Sequence, residues 1–494
     1  MFGQGWKKKL FAIFTKVMNP LTVVIIIAAY FAAILLISAL TRHRGGDFFA
    51  ARQSSWWMVS IAMIGACMSG VTFVSVPGMV ATAGMSYLQM CLGFLAGYLV
   101  IAFVLMPLYF RLEVVSVYQY LDHRFGVTSH KTGAWFFFIS KMLGASVRFF
   151  VVCLTLQLLL FGPLGLPFYL NVLVNVAIIF AYTFRGGVKS VIAVDVLRTS
   201  CMVTAVVLTA VFVARGLGLS FSGTAASIKG SGMSRIFFFD DINDSRFFWK
   251  QFLGGLFTVI ATTGLDQDMM QRSLSCRNNR DAQKNLILSS VLQTVVIFMF
   301  LCLGVLMYQY ASAMGIAQSG DNLFPAVATE GGLPLVVGVL FLLGLISAAY
   351  GAGGSALTSL TTSFTLDVLG QQKASVRKWV HVGMAALMAL IIVVFGAVNS
   401  TSAIDAVYKI ASYTYGPILG LFAFGILTKA RVRDRFVPLP AVIAPLICLI
   451  LQLNSEQWFG GYRFGYEILP LNAALTFLGL CCLRVPRKNA DYEK

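Results

Sequence analysis

The chain has 494 residues, of which 58% are hydrophobic and only 11% charged, with a formal net charge of +18. A soluble globular chain carries roughly twice that charged share, which excludes an ordinary water-soluble enzyme or binding domain. The positive charge does not indicate nucleic acid, because the basic residues fall in short segments between apolar runs, where they act as topology determinants.

Residues 1–17 form a short basic lead with Lys7, Lys8, Lys9 and Lys16. The apolar run after it is about the length needed to cross a bilayer as helix, so it is read as a span rather than a cleaved signal; Met18 is an alternative start. The apolar runs predict about thirteen spans, at 20–40, 54–80, 84–109, 133–161, 165–184, 190–214, 247–270, 285–310, 334–367, 379–398, 404–428, 436–453 and 467–483. The fold class expected is therefore an all-α polytopic membrane protein. Alternate loops sort by charge. One set holds Arg42, Arg44, Arg52; Arg111, Arg124, Lys131; Arg185, Lys189; Arg272, Arg277, Arg280, Lys284; Lys373, Arg377, Lys378; Lys429, Arg431, Arg433, Arg435; and the tail. The other has few basic residues and the acids Asp240, Asp241, Asp244, Asp321 and Glu330. Positive-inside places the C-terminus in the cytoplasm of an inner membrane, and thirteen spans place the N-terminus outside, against the sense of the Lys7–Lys9 cluster. Residues 215–246 are the longest connection, read as an external loop.

The second span is interrupted by Gly65, Ser69, Gly70 and the Pro77–Gly78 pair. The seventh carries Gly254, Gly255 and Gly264, followed by Asp266, Gln267 and Asp268. Interruptions in corresponding spans, five apart, point to an inverted-repeat transporter whose unwound helices bind solute and ions. Tolerated kinks are the plainer alternative. The ninth span, over 345–367, breaks its apolarity with Gly351, Gly353, Gly354, Ser355, Thr358, Ser359, Thr361, Thr362 and Ser363. It either packs closely against neighbours or lines a path.

Charges within spans are costly and functional by default. Lys141 and Arg148 share a face of the fourth span. Asp195 and Arg198 are spaced to pair on the sixth, and Asp405 and Lys409 stand four apart on the eleventh. Snorkelling accounts for Lys141 and Asp405 more readily than for Arg148, which sits mid-span and is a candidate contact for an acidic solute. The nine cysteines form no CxxC motif and the four histidines no metal cluster. No HExxH or GxSxG motif is present, so an intramembrane enzyme is not expected.

Several stretches resemble the sodium:solute symporters: FFAARQSSWW before the second span, SVYQYLDHRFG after the third, FRGGVKSVIAVD into the sixth, GLDQDMMQRSLSCRN after the seventh, SALTSLTTSFTLD in the ninth and YTYGPILGLFAFGILTK in the eleventh. The resemblance runs from Met18 to about Val485. It implies a LeuT-like fold of two inverted five-helix repeats, over 53–216 and 247–428. The basic lead (1–17), a first helix and loop (18–52), an external loop (217–246), two further helices (429–484) and a tail (485–494) flank them. It also implies a secondary transporter that imports a small organic solute by alternating access, as a monomer, without nucleic acid or any cofactor except Na⁺. By motif, the main sodium site would use carbonyls of Gly65, Met68 and Ala348 and two serine hydroxyls. Those serines fall on Gly351 and Ala352, which offer no side-chain oxygen. At a second site the aspartate is Asp195, but the partner glutamine is Arg198 and only Ser355 remains nearby. Arg198 is expected to pair with Asp195, leaving transport sodium-independent or weakly coupled. The matching solute positions are Cys67, Ser69, Thr72, Gln89, Asp266, Gln267 and Lys409. The alternatives are a proton-coupled carrier or a transport-inactive sensor on the same fold.

Overall fold

In hydrocarbon, backbone groups have no water to bond, so apolar segments of about 20 residues satisfy them internally as helices. A computed structural model describes residues 20–40, 54–112, 116–183, 188–371, 373–398 and 403–485, helical throughout its long elements. The Lys7–Lys9 lead, the loop with Arg42, Arg44 and Arg52, Arg185, and the tail with Arg487 and Lys488 lie outside the described residues.

The helices in chain order are α1 (Pro20–Leu40), α2 (Trp56–Cys67), α3 (Gly70–Gly78), α4 (Tyr87–Leu112), α5 (Val127–Phe161), α6 (Phe168–Thr183), α7 (Val188–Gly216) and α8 (Phe248–Val259). They continue as α9 (Gln267–Leu274), α10 (Asn279–Met314), α11 (Leu335–Val368), α12 (Ala374–Val398), α13 (Ala403–Leu427), α14 (Pro438–Trp458) and α15 (Ile468–Cys482). Among the described residues, 8 helices are long and apolar enough to cross a membrane, or 9 if the bent pair α2–α3 is one span. By that measure the expected thirteen is not reached, because α1, α6 and α15 are shorter apolar helices and α8–α9 is split by its break.

Close contacts between the halves depend on small residues. Gly93 and Gly97 of α4 face α8. A Cβ on Gly93 would run into the Phe252 carbonyl oxygen, and one on Gly97 would lie 2.6 Å from that of Leu256. Gly255 of α8 answers them, since its Cβ would strike the Met90 carbonyl. This is the small-residue, four-spaced packing of membrane helices, where backbones themselves touch. Elsewhere α7 packs on α11, α13 on α5 and α15, and α2 on α7 and α10. Leu99, Phe103, Leu173, Phe298, Leu390 and Ile450 stay exposed, as lipid-facing positions do.

The connection between α7 and α8 is more structured than a plain loop. It contains a helix, Phe221–Gly230, capped by Ser220. Gln89 pins its far end, donating to the Arg246 carbonyl at 2.9 Å and accepting from the Phe238 amide at 3.1 Å.

Candidate solute site

The two interrupted spans break in different ways. Between α2 and α3, Met68 (φ −88°, ψ 133°) and Ser69 (φ −123°, ψ 177°) are extended, and the helix axis bends by 65°. The break leaves the last carbonyls of α2 and the first amides of α3 without intrahelical partners. One such amide, of Ser69, donates to the Thr72 hydroxyl at 3.4 Å. The second break follows a π-turn, Ile260–Gly264, and leaves Leu265 and Asp266 outside helix before α9 restarts.

Asp266 is the N-cap of α9. Its Oδ1 accepts from the amides of Asp268 at 2.9 Å and Met269 at 3.3 Å. Lys141 Nζ donates to both carboxylate oxygens, at 3.0 and 2.9 Å, and the Tyr415 hydroxyl donates to Oδ2 at 2.8 Å. Lys141 is buried and does not snorkel. A carboxylate one helix away makes burial the better outcome for the ammonium.

A second layer of charge lies behind it. Lys141 also stands 3.6 Å from Asp268. Asp268 accepts from the Ser355 hydroxyl at 2.6 Å and lies 3.5 Å from Arg272 Nη2. Arg272 donates to Ser355 at 2.6 Å and, through Nη1, to Asp195. Arg198 Nη1 donates to the other Asp195 oxygen at 2.8 Å. Asp195, Arg198 and Arg272 are all buried. The cluster joins α5, α7, α9 and α11 with three carboxylates and three cations, so its formal charge cancels. Arg272, read from the sequence as a loop charge, is central to it. The local signal was its position four residues after Asp268, in register to pair along one helix face.

Between the two breaks lies a cavity of about 110 Å³, lined from α2–α3, α4, α5, α8–α9, α10, α11 and α13. Of the expected solute residues, Cys67, Ser69, Thr72, Arg148 and Asp266 line it, as do Met68 and Ala352 from the sodium-site positions. Gln89, Gln267 and Lys409 are not among its lining residues. Gln89 pins the α7–α8 connection, the Gln267 side chain accepts from the Val117 amide at 2.8 Å, and Lys409 is exposed. Asp405 accepts from the Tyr466 hydroxyl at 3.2 Å instead of pairing along its helix. Gly65, Ala348, Gly351, Asp195 and Ser355 stand behind the wall. Gly65 packs on α7, where a Cβ would lie 3.1 Å from the Asp195 carbonyl.

Arg148 differs from every other central cation. Its side chain reaches the cavity, and among the described residues no carboxylate stands within ion-pair distance of it. Gly144, one turn before it, has nothing within 4 Å of where a Cβ would sit, so space beside the guanidinium is open.

A second cavity adjoins the first and is lined by Ser75, Thr82, Arg246, Asp321, Asp405 and Tyr466 among others. Tyr87 and Ile404 line both cavities, and the Tyr87 and Tyr408 hydroxyls bond across the partition at 2.5 Å.

Beyond the two breaks and the cavity where they meet, the sequence itself matches the sodium:solute symporter family over residues 48–434. The chain belongs to that family. Its relatives are membrane transporters and not enzymes. This symporter-family chain is 25% identical to the human sodium/iodide cotransporter over 75% of its own length and 59% of the relative's. It is 24% identical to the zebrafish (Danio rerio) sodium-coupled monocarboxylate transporter 2, over 83% and 65%. With the sodium/sialic acid symporter of Proteus mirabilis it shares 25% identity over 81% and 83%. The chain thus spans about three-fifths of the length of the first two. A solved structure of a Na⁺-coupled sialic acid symporter, substrate-bound and outward-open, superposes with a TM-score of 0.78 at 18% identity, covering 93% of this chain and 97% of that one. The nucleobase-cation-symport-1 family transporter Mhp1, closed with bromovinylhydantoin bound, gives 0.53 at 11% identity, covering 87% and 92%. These likenesses establish the LeuT-like fold.

Proposed function

We propose that this protein is a secondary transporter carrying a small organic anion, such as a sugar acid or another carboxylate, by alternating access around the central cavity. The observation that carries the reading is Arg148, a guanidinium facing the cavity with no carboxylate beside it. The half-buried guanidinium keeps part of its hydration, and the part it has lost is an electrostatic cost. A bound carboxylate offsets that cost with a bidentate, charge-assisted contact. Asp266 also lines the cavity, but its oxygens are taken by Lys141, Tyr415 and two amides, so it does not cancel Arg148. The named solutes of the relatives, iodide, monocarboxylates and sialic acid, are all anionic, which agrees with this reading. The partition at Tyr87 and Tyr408 is the natural gate between the cavity and the outer vestibule.

The basic loops bearing Arg124, Lys131, Arg277, Arg280, Arg377 and Arg433 support a cytoplasmic C-terminus in the plasma membrane, with the N-terminus outside and the protein working as a monomer.

The test is ligand-induced thermal stabilisation of the purified protein across sugar acids, short monocarboxylates and neutral sugars. Carboxylates are expected to stabilise it and neutral sugars not. Arg148→Ala is expected to weaken carboxylate binding roughly thirtyfold or more, as loss of a buried charge partner does. Unchanged binding in that variant removes the reading.

A further inference from the structure

The relatives are named for sodium, yet the described central acids of this chain are taken by its own cations. We propose that the protein carries its own cation instead: Arg198 and Arg272 hold Asp195 permanently, and transport runs without a sodium gradient. The inference rests on the carrier reading above.

Na⁺ is a hard ion that wants oxygen ligands, with carboxylates, hydroxyls and carbonyls foremost. The three carboxylates of the central cluster, and Asp367 beyond it, are already engaged. Asp195 is held by two arginines, one on each oxygen. Asp266 is held by Lys141, Tyr415 and two amides. Asp268 has Arg272, Lys141 and the Ser355 hydroxyl. Asp367 accepts from Ser116 at 3.1 Å and Ser363 at 2.7 Å and faces His130 at 3.2 Å. With three carboxylates and three cations in the central cluster, an added Na⁺ would leave a buried net charge without a counter-ion, which is costly in low dielectric.

An independent observation lies on α11. A Cβ built on Gly351 would stand 3.0 Å from both Cδ and Nη1 of Arg198. A hydroxyl-bearing side chain at 351 and the Arg198 guanidinium therefore compete for one volume. Glycine at 351 leaves room for the guanidinium beside Asp195. The oxygen ligand that is missing and the positive charge that is present are two sides of one exchange. A tethered guanidinium cannot leave with the solute, so no ion need accompany each turnover through this site.

The experiment uses the full-length purified protein and Na⁺ itself as the probe. The melting midpoint is followed as NaCl replaces choline chloride at constant ionic strength, alongside equilibrium binding of radiolabelled sodium. For the wild type the midpoint is expected to stay within about 1 °C with no saturable sodium binding. Saturable, sodium-specific stabilisation overturns the inference. In Arg198→Ser the cluster keeps three carboxylates against two cations and gains a hydroxyl. It is expected to acquire sodium-specific stabilisation of a few degrees. A folded Arg198→Ser protein indifferent to sodium overturns the claim that the guanidinium takes the cation's place. If that variant does not fold, the wild-type titration decides alone. Sodium-specific stabilisation leaves the anion-carrier reading standing. Failure of every carboxylate to bind in either salt removes that reading without touching the sodium result.

Discussion

Arg148 and Arg272 belong to the same helix bundle, and the protein treats them oppositely. Arg272 is buried and meets two aspartates and a serine hydroxyl. Arg148 reaches a cavity and, among the described residues, meets no carboxylate. In low dielectric an uncompensated charge is expensive. The first arginine is therefore part of what holds the bundle together. The second is tolerable because water or a solute can reach it. Composition and hydropathy cannot tell the two apart; the count of carboxylates around each can.

That contrast can be broken from either side. Arg272→Ala removes one cation from a balanced buried cluster, takes one of two cationic partners from each of Asp195 and Asp268, and leaves a net buried negative charge. It should lower stability by about 3–5 kcal/mol, read by thermal or denaturant unfolding; a loss too small to measure would mean the cluster is not structural. Gly351→Ala should cost about 1–3 kcal/mol by overpacking, because the new Cβ meets an Arg198 side chain that Asp195 holds in place. Combined with Arg198→Ser, the penalty should shrink, and simple additivity would show the two sites are uncoupled. Arg148→Ala should change stability by only about 0.5 kcal/mol while carboxylate binding is lost. Unfolding in step with Arg272→Ala would erase the distinction.

The smallest effect concerns the connection between α7 and α8. The hydrogen bond from the Arg246 side chain holds the Asp244 carboxyl below its usual range. A carboxyl whose folded value is depressed contributes stability that is present above the unfolded value, about 3.9, and fades as pH falls through the folded one. Between pH 5 and 8 the loop should therefore show no titration, and Asp244→Asn should matter only slightly because the pair is partly exposed. Hydrogen exchange at the Phe238 and Arg246 amides against pH checks this.

Much of the fold was legible. Glycine, proline and the polar run Asp266–Asp268 marked both breaks, and Arg148 stood out as a mid-span charge that snorkelling explains less readily than Lys141 or Asp405. Two kinds of error remained. Lys141 was read as snorkelling because its partner, Asp266, is 125 residues away, and hydropathy windows see only neighbours. Arg272 was assigned to a loop because it follows a run of polar residues, although α9 folds that run back into the bundle. Gln89, Gln267 and Lys409 were carried over by position, and a motif transfers a backbone location without fixing which way a side chain turns. The pairing of Gly351 with Arg198 belongs to neither helix alone, since the volume one residue vacates is used by a residue on another.

The glycine contact between α4 and α8 has a mechanical consequence. Sliding either helix along the other would drive side chains into the carbonyls now lodged against Gly93, Gly97 and Gly255. The first half of the molecule is thereby geared to the second along this seam, and the two helices travel as one lever. Any rocking that opens the cavity has to be taken up at softer joints, where the α2–α3 bend and the π-turn before Asp266 interrupt the helical rods.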